Sequence, residues 1–250
     1  MAEQLTLHVD PGGDLLESAR DCEAEVFLRW YGNTREQLAV EYGPYEHSSV
    51  FLAIVDQDGC AQAAARLLRP GGTAGLKTLT DIGREPWGVD GDRVAAAAGL
   101  DLSSTWEVAT ISVRRRHGPS GLRLSLALYH GLISLSSASA MSSFVAVLDE
   151  RVRRLLASVG LPTITLPGTS SAPYLGSTCS TPVYARCAAV LEHQRREHPD
   201  AYRLVTLGVG LDGIALPRPD AYAVALTAAG ALASPALVPA PRRPLVTAGT

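Results

Sequence analysis

Thr105-Trp106-Glu107-Val108-Ala109-Thr110-Ile111-Ser112-Val113, followed by Arg114-Arg115-Arg116-His117-Gly118-Pro119-Ser120-Gly121-Leu122, decides how the rest of the chain is read. The stretch from Thr105 to Val113 mixes β-branched, aromatic and apolar side chains over a length suited to a strand. Both faces carry apolar groups, Trp106 and Val108 on one and Ala109, Ile111 and Val113 on the other. That places the strand in mid-sheet, covered on both sides. Three arginines, His117 and a Gly/Pro turn follow, and Leu122, Leu124, Leu126, Leu128 and Leu132 then mark a helix. Such a turn can hold an anion, because free N–H groups and the helix dipole both favour negative charge at a helix start.

Upstream, Leu15, Leu16, Ala19, Cys22, Glu23, Val26, Phe27 and Trp30 form a helical stripe over 13–31, with Gly32 as its stop. Asn33-Thr34 caps a second helix to about Val40, and Gly43-Pro44 ends it in a loop. Residues 50–55 and 60–68 read as a hairpin around Asp56-Gln57-Asp58-Gly59. A short helix follows at 91–98.

Downstream of the long helix, 143–148 reads as a strand and Asp149 caps a helix over 150–158 that stops at Gly160. Residues 161–166 read as another strand, 167–182 as a long Gly/Ser/Thr/Pro loop, 183–191 as an ordered element and 192–197 as a short helix. This order implies a mixed α/β domain with helices on both faces of the sheet. Residues 1–213 are expected to form it, and 214–250, rich in Pro and Ala, to be a disordered tail.

Composition narrows the class. A hydrophobic fraction of 46% and a charged fraction of 19% suit a globular protein, and a net charge of −3 gives no general attraction to nucleic acid. The N-terminus lacks the basic start and apolar core of a signal peptide, and no apolar run reaches membrane-spanning length. Cys22, Cys60, Cys179 and Cys187 fit neither a disulfide scaffold nor a zinc pattern, so a reduced, cytoplasmic protein without a metal is expected. Gly208-Val209-Gly210 is no dinucleotide fingerprint, and no spacing rule links Cys179 to His193 as a nucleophile and its base.

The strand Trp106-Glu107-Val108-Ala109-Thr110-Ile111-Ser112-Val113 resembles the "WE-x-SRF-x-V" strand of the acyl-homoserine-lactone synthases, members of the GCN5-related N-acyltransferase superfamily. Arg115-x-x-Gly118-x-Ser120 is similar to that superfamily's acyl-donor motif, R/Q-x-x-G-x-G/A. Phe27, Trp30, Glu41, Glu46 and Arg66-Leu67-Leu68-Arg69-Pro70 follow the family's order of an aromatic helix, acidic positions and a hairpin ending in "RLLPT". Glutamates replace the family's aspartates, and Thr110 stands where the family has the arginine of its SRF triplet.

The resemblance covers roughly residues 10–210. It implies a mixed, mostly antiparallel sheet that opens between the central strand and its parallel neighbour at 143–148. It also implies N-acyl transfer from acyl-CoA or an acyl carrier protein to an amine such as an amino acid or S-adenosylmethionine, with no tightly bound cofactor. By the same resemblance Phe27, Trp30, Glu41, Glu46 and Thr110 would meet the substrate. Val113, Arg114, Arg115, Arg116, Gly118, Ser120, Gly121 and Tyr129 would meet the donor.

Glu107 is the candidate base, since desolvation on a strand raises a carboxyl's pKa toward useful values. It serves equally well, on sequence grounds, as an edge carboxylate paired with an arginine such as Arg66. Arg66 in turn reads as a cleft residue or as an exposed hairpin arginine. Arg151, Arg153 and Arg154 add a second basic cluster, suited to an acidic carrier or to plain helix surface. A non-catalytic scaffold that keeps the acyl cleft is the competing reading, and Ser120 in the third motif position favours it.

Overall fold

The computed structural model describes residues 4–114 and 119–224. In chain order the elements are β1 (Leu5–Val9), α1 (Gly13–Tyr31), α2 (Arg35–Tyr42), a 3-10 turn (Gly43–Ser48), β2 (Ser49–Val55), β3 (Ala61–Leu68), α3 (Lys77–Asp81) and α4 (Gly91–Ala97). Then come β4 (Thr105–Val113), α5 (Pro119–Ala138), β5 (Ser143–Asp149), α6 (Glu150–Ser158), β6 (Ile164–Thr165), β7 (Ala172–Tyr174), β8 (Ser177–Arg186) and α7 (Cys187–Glu197). Two short helical turns, β9 (Ile214–Ala215) and a last turn at Pro219–Tyr222 complete the described chain.

The sheet runs β6-β8-β5-β4-β3-β2-β1-β9, with β7 paired to β8. Among the described residues only β4·β5 and β1·β9 pair in parallel, so the expected mixed and mostly antiparallel sheet is found. β2 and β3 are buried almost throughout, and the run Ala63-Ala64-Ala65 keeps both faces of the sheet shallow. On one face Ala19 and Cys22 of α1 pack against Phe51, Ala53, Val55 and Ala64. On the other, Leu124, Ala127, Leu128 and Leu135 of α5 meet Leu7, Leu52, Leu67 and Trp106. Full burial of each such leucine stabilises by about 1.5–3 kcal/mol. α5 lies so near the sheet that a Cβ at Gly131 would come within 3.1 Å of Leu7 and Leu52.

Caps stop the helices where the sequence places them. Gly32, at φ 74°, closes α1, and the Thr34 and Gln37 side chains form a reciprocal capping box on α2. Asp149 accepts from the Arg151 N–H at the start of α6.

Three expectations change. The register between β3 and β4 shifts after Arg66, which pairs with Thr110 while Leu67 pairs with Val108. Ala109 is therefore an extra residue, a β-bulge, and every side chain beyond it changes face. Ile111 and Val113 join Trp106 and Val108 on the α5 side, while Thr110 turns to α1. The loop expected at 167–182 is largely a hairpin of β7 and β8, and the strand expected at 161–166 shrinks to two residues, Ile164 and Thr165.

The third change is the domain boundary. Residues just past 213 belong to the fold: β9 pairs with β1, and Tyr222 is buried with its ring edge-on to His130 at 6.1 Å. The remainder of the tail expected to be disordered, 225–250, lies outside the described residues.

Tyr222→Ala should therefore cost about 3 kcal/mol or more, as buried aromatic truncations do. In a chain of this size that lowers Tm by roughly 6 °C or more. A thermal melt unchanged from that of the parent chain would show that this segment does not dock.

Candidate functional site

Parallel pairing between β4 and β5 runs through Thr105–Ser143, Trp106–Phe144 and Glu107–Val145 and then ends. β4 continues to Val113 and β5 to Asp149, so the strands diverge beyond Glu107. β4 keeps β3 on its other edge and β5 keeps β8. The facing edges are thus left with backbone groups that the sheet does not use, and such groups need partners.

Two cavities of about 70 Å³ each meet at this opening and share Val108, Ile111 and Leu148. The cavity on the α5 side is almost wholly apolar: leucines, Met141, Phe144 and Ile133 line it, with Tyr129, Ser136 and Cys187 the polar-bearing exceptions. The cavity on the α1 side is mixed, with Phe27, Tyr31, Tyr42, Thr110, Asp149 and Tyr174 on its wall. One face of the opening suits a hydrocarbon chain and the other suits a polar reactant.

Glu107, 3% exposed, stands at the last paired position. Its Oε2 accepts from the Thr78 backbone N–H at 2.9 Å. Burial lifts its pKa from the usual 4.5 to about 7, against the pull of that N–H and of the Lys77 ammonium. Lys77 is itself buried. Desolvation acts to lower its pKa, but Asp81 and Glu41 override this and hold it above its ordinary value. Lys77 donates to Asp81, to the Tyr174 hydroxyl at 3.1 Å and, as an ion pair, to Glu41 at 2.9 Å. Tyr174 also donates to Asp81, and burial followed by the Asp81 charge pushes its pKa far up. Burial likewise keeps Tyr42 protonated, and its hydroxyl donates at 3.4 Å to the carbonyl of the bulge residue Ala109.

Arg66 belongs to a separate cluster. Its Nε and Nη2 donate to the two oxygens of Glu23 at 3.1 and 2.7 Å, and its Nη1 donates to Glu46 at 3.2 Å. Thr110 Oγ1 donates to Glu23 at 2.5 Å. Glu107 and Arg66 are therefore not an ion pair, and the pairing entertained from the sequence is replaced by Glu23–Arg66–Glu46. The threonine at 110 supplies a neutral donor to Glu23, which Arg66 already neutralises.

Of the other expected residues, Phe27 lines the mixed cavity, its ring 5.3 Å from that of Tyr31. Trp30 does not: it is 55% exposed, and Tyr31, four residues from Phe27 and so on the same helix face, takes its place. Glu41 and Glu46 are brought to different cations, Lys77 and Arg66. Tyr129 lines the apolar cavity, and burial pushes its pKa up to about 12. Val113 ends β4 against Ala63, and Arg114 pairs with Glu25 at 2.9 Å. Gly121 lies in the first turns of α5. Arg115, Arg116 and Gly118, and the side chain of Ser120, lie outside the described residues. In the second basic cluster Arg153 reaches Thr165 and Arg154 pairs with Glu150.

Sequence reasoning missed Glu23, Tyr42, Lys77, Asp81, Asp149 and Tyr174 as site residues. Three of them carried a signal: Glu23 sits inside the apolar stripe of α1, and Lys77 and Asp81 are four apart between Leu76, Leu79 and Ile82. A charge on a buried face needs a partner. All four cysteines are free. Among the described residues no His/Cys/Asp/Glu group is placed to hold a metal ion, and no helix is long and apolar enough to cross a membrane.

No family model and no curated protein matches the sequence. Solved structures do match the fold. FeeM, an N-acyl amino acid synthase from uncultured soil microbes, aligns with a TM-score of 0.57 and 8% identity over 77% of this chain and 95% of its own. The acyl-homoserine-lactone synthase LasI aligns at 0.51 with 13% identity, over 74% and 91%. The CoA-dependent acyl-homoserine-lactone synthase BjaI, solved with MTA, aligns at 0.50 with 14% identity, over 88% and 97%. The fold is that of the GCN5-related N-acyltransferases.

Two stability outcomes follow from the electrostatics. Arg66→Met strands the buried Glu23 charge and should cost about 3–5 kcal/mol, while adding Glu23→Gln should recover much of that loss in denaturant melts. An additive pair would mean that the two residues do not interact. For Glu107 the folded pKa lies above the unfolded one. Its contribution is thus fully present below about pH 4.5 and lost as pH rises through about 7. Relative to Glu107→Gln, the parent chain should lose about 3 kcal/mol across that window. Parallel pH profiles for the two chains would place Glu107 at ordinary acidity.

Proposed function

We propose, from the fold shared with the N-acyl amino acid and acyl-homoserine-lactone synthases, that this chain is an N-acyltransferase. It moves an acyl group from a thioester, acyl-CoA or acyl carrier protein, to a small-molecule amine. The observation that carries the reading is the coincidence of three features at one point: the divergence of β4 and β5, an apolar cavity beside it, and a buried carboxyl with a pKa of about 7 at the last paired residue.

In this reading the amide groups of the donor's pantetheine arm pair with the strand edges that β4 and β5 leave to each other beyond Glu107, and the acyl chain enters the apolar cavity. The donor's phosphates are received at the start of α5 by Gly121 and by the motif residues Arg115, Arg116, Gly118 and Ser120. The amine approaches through the mixed cavity. Its nitrogen attacks the thioester carbon, the C–N bond forms and the C–S bond breaks. Glu107 takes the proton that the nitrogen loses, directly or through one water, and that proton is then passed to the departing sulfur, which leaves as the thiol. A carboxyl with a pKa of about 7 is matched to that task, since near neutral pH about half of it is ionised and it is basic enough to accept a proton. Tyr129 holds its proton throughout and serves as a hydrogen-bond donor to the departing sulfur. Arg66, held by two carboxylates, acts by positioning the wall that Tyr42 and Thr110 form.

Glu107→Gln keeps the size of the side chain and loses the base. Turnover of an acyl-CoA, followed by thiol release, should fall roughly 10²–10⁴-fold. The deficit should shrink at high pH, where the amine deprotonates unaided, and the variant should melt no lower than its parent above pH 7. Equal activity in the two chains would remove Glu107 from the chemistry. Loss of activity together with loss of folding would make it a structural partner of the Thr78 N–H and Lys77. Mass spectrometry of lipids from cells expressing the chain should show a new N-acylated amine.

A further inference from the structure

α3 packs over the last paired position of β4. Leu68 and Val145, the residues on either side of Glu107 in the sheet, cluster with Leu76, Leu79 and Ile82 of this helix and its caps. The Thr78 N–H, in the first turn of α3, reaches the Glu107 carboxyl at 2.9 Å. The helix therefore brings two buried charges to the same place, Lys77 at its start and Asp81 one turn on. They bond to each other, and Glu41 holds Lys77 from α2 at 2.9 Å. The Tyr174 hydroxyl closes the arrangement, accepting from Lys77 at 3.1 Å and donating to Asp81.

We propose that Lys77 and Asp81 are positioning residues for the base: an ammonium and a carboxylate, fixed beside Glu107 by one short helix, act on its proton in opposite senses and together set the pH range over which it accepts one. The catalytic meaning of the pair rests on the acyl-transfer reading; its effect on Glu107 does not. A buried ion pair is weak ground for stability, since apolar side chains of like volume often hold a fold as well or better. Over Glu107 the pair has an electrostatic use. The ammonium favours the ionised carboxyl, and the Asp81 carboxylate disfavours it. With Lys77 alone, Glu107 would be a fixed anion and a weak base. With Asp81 alone, it would stay protonated at neutral pH. Both together leave it able to take up a proton and give it back.

The other described groups on this side of the sheet hold fixed charge states or are already paired. Burial keeps the Tyr42 and Tyr174 hydroxyls protonated. Glu41 pairs with Lys77, and Glu23 and Arg66, whose charges reach Tyr42, pair with each other. Arg84 approaches Asp81 only at 3.9 Å and is 73% exposed, so solvent screens it. The pair is also held still. Tyr174 stands on the hairpin of β7 and β8, which Asn33 ties to the end of α1 by donating to the Leu175 carbonyl at 2.7 Å. A Cβ on Gly176 would collide with the Tyr31 carbonyl oxygen, so only glycine permits that approach.

Lys77→Met and Asp81→Asn break the same ion pair and should move Glu107 in opposite directions, which a merely structural role would not do. The titration of Glu107 is followed by carboxyl NMR of the full chain, labelled in its glutamates and assigned with Glu107→Gln. On the same preparations, the acid limb of thiol release from octanoyl-CoA is recorded with a mixture of amino acids and amines. Lys77→Met should raise both midpoints by roughly one pH unit, and Asp81→Asn should lower them by a similar amount. The double variant removes both charges and should return Glu107 to near its parent value. Shifts in the same direction, no shift, or a double variant displaced as far as either single one overturns the proposal. If Lys77→Met does not fold, Asp81→Asn must still lower the NMR midpoint and the double variant must restore it. Opposite NMR shifts without thiol release uphold the proposal and remove the acyl-transfer reading.

Discussion

The pairing of β4 with β5 stops at Glu107–Val145, and each strand goes on without the other. Backbone amides in a sheet need hydrogen-bond partners, so two facing edges without each other's bonds leave an opening in the sheet. About that opening lie one cavity on each side and Glu107 at its inner end. The strands hold the divergence because each is anchored along its outer edge, β4 by β3 and β5 by β8. The gap is a property of the sheet, not of a flexible loop.

The β-bulge at Ala109 matters nearly as much. One inserted residue turns Thr110 toward α1, where its hydroxyl meets Glu23, and turns Ile111 toward α5, where it lines the apolar cavity. Without it, regular alternation would aim Thr110 at α5 and Ile111 at α1, separating Glu23 from its neutral donor. The bulge also leaves the Ala109 carbonyl to accept from Tyr42, which joins α2 to the strand.

The charged groups around the site form two clusters, Glu23–Arg66–Glu46, which Arg20 joins through Glu46, and Glu41–Lys77–Asp81, which Arg84 joins through Asp81 at 3.9 Å. A buried cation so held is satisfied within the protein. Burial, with the Asp81 charge, keeps the Tyr174 hydroxyl protonated. Electrostatics and packing thus act together here: the rings that exclude water also strengthen each ionic contact they cover.

Local pattern carried much of the architecture. The span of β4, the capped helices α1, α2 and α6, the hairpin of β2 and β3, and α5 after its basic turn are all written in periodicity and caps, which depend on residues close in sequence. A buried Glu107 was one of two readings that its apolar strand neighbours left open, the other being an edge carboxylate paired with an arginine. The partner of that carboxyl was not legible, nor was the bulge, the hairpin of β7 and β8, or the docking of Ile214 and Tyr222. Each depends on contacts between residues far apart in the chain. Glu107 meets Thr78, Arg66 meets Glu23, and β9 meets β1, across separations at which a sequence names the charges but not their distances. Trp30 and Tyr31 make the same point on one helix: both are aromatic and adjacent, and only the packing of α1 against the opening decides which of them faces it. Local chemistry determined which elements form. Tertiary packing decided which charges cancel, because Coulomb and hydrogen-bond energies depend on distance and burial that no local pattern contains.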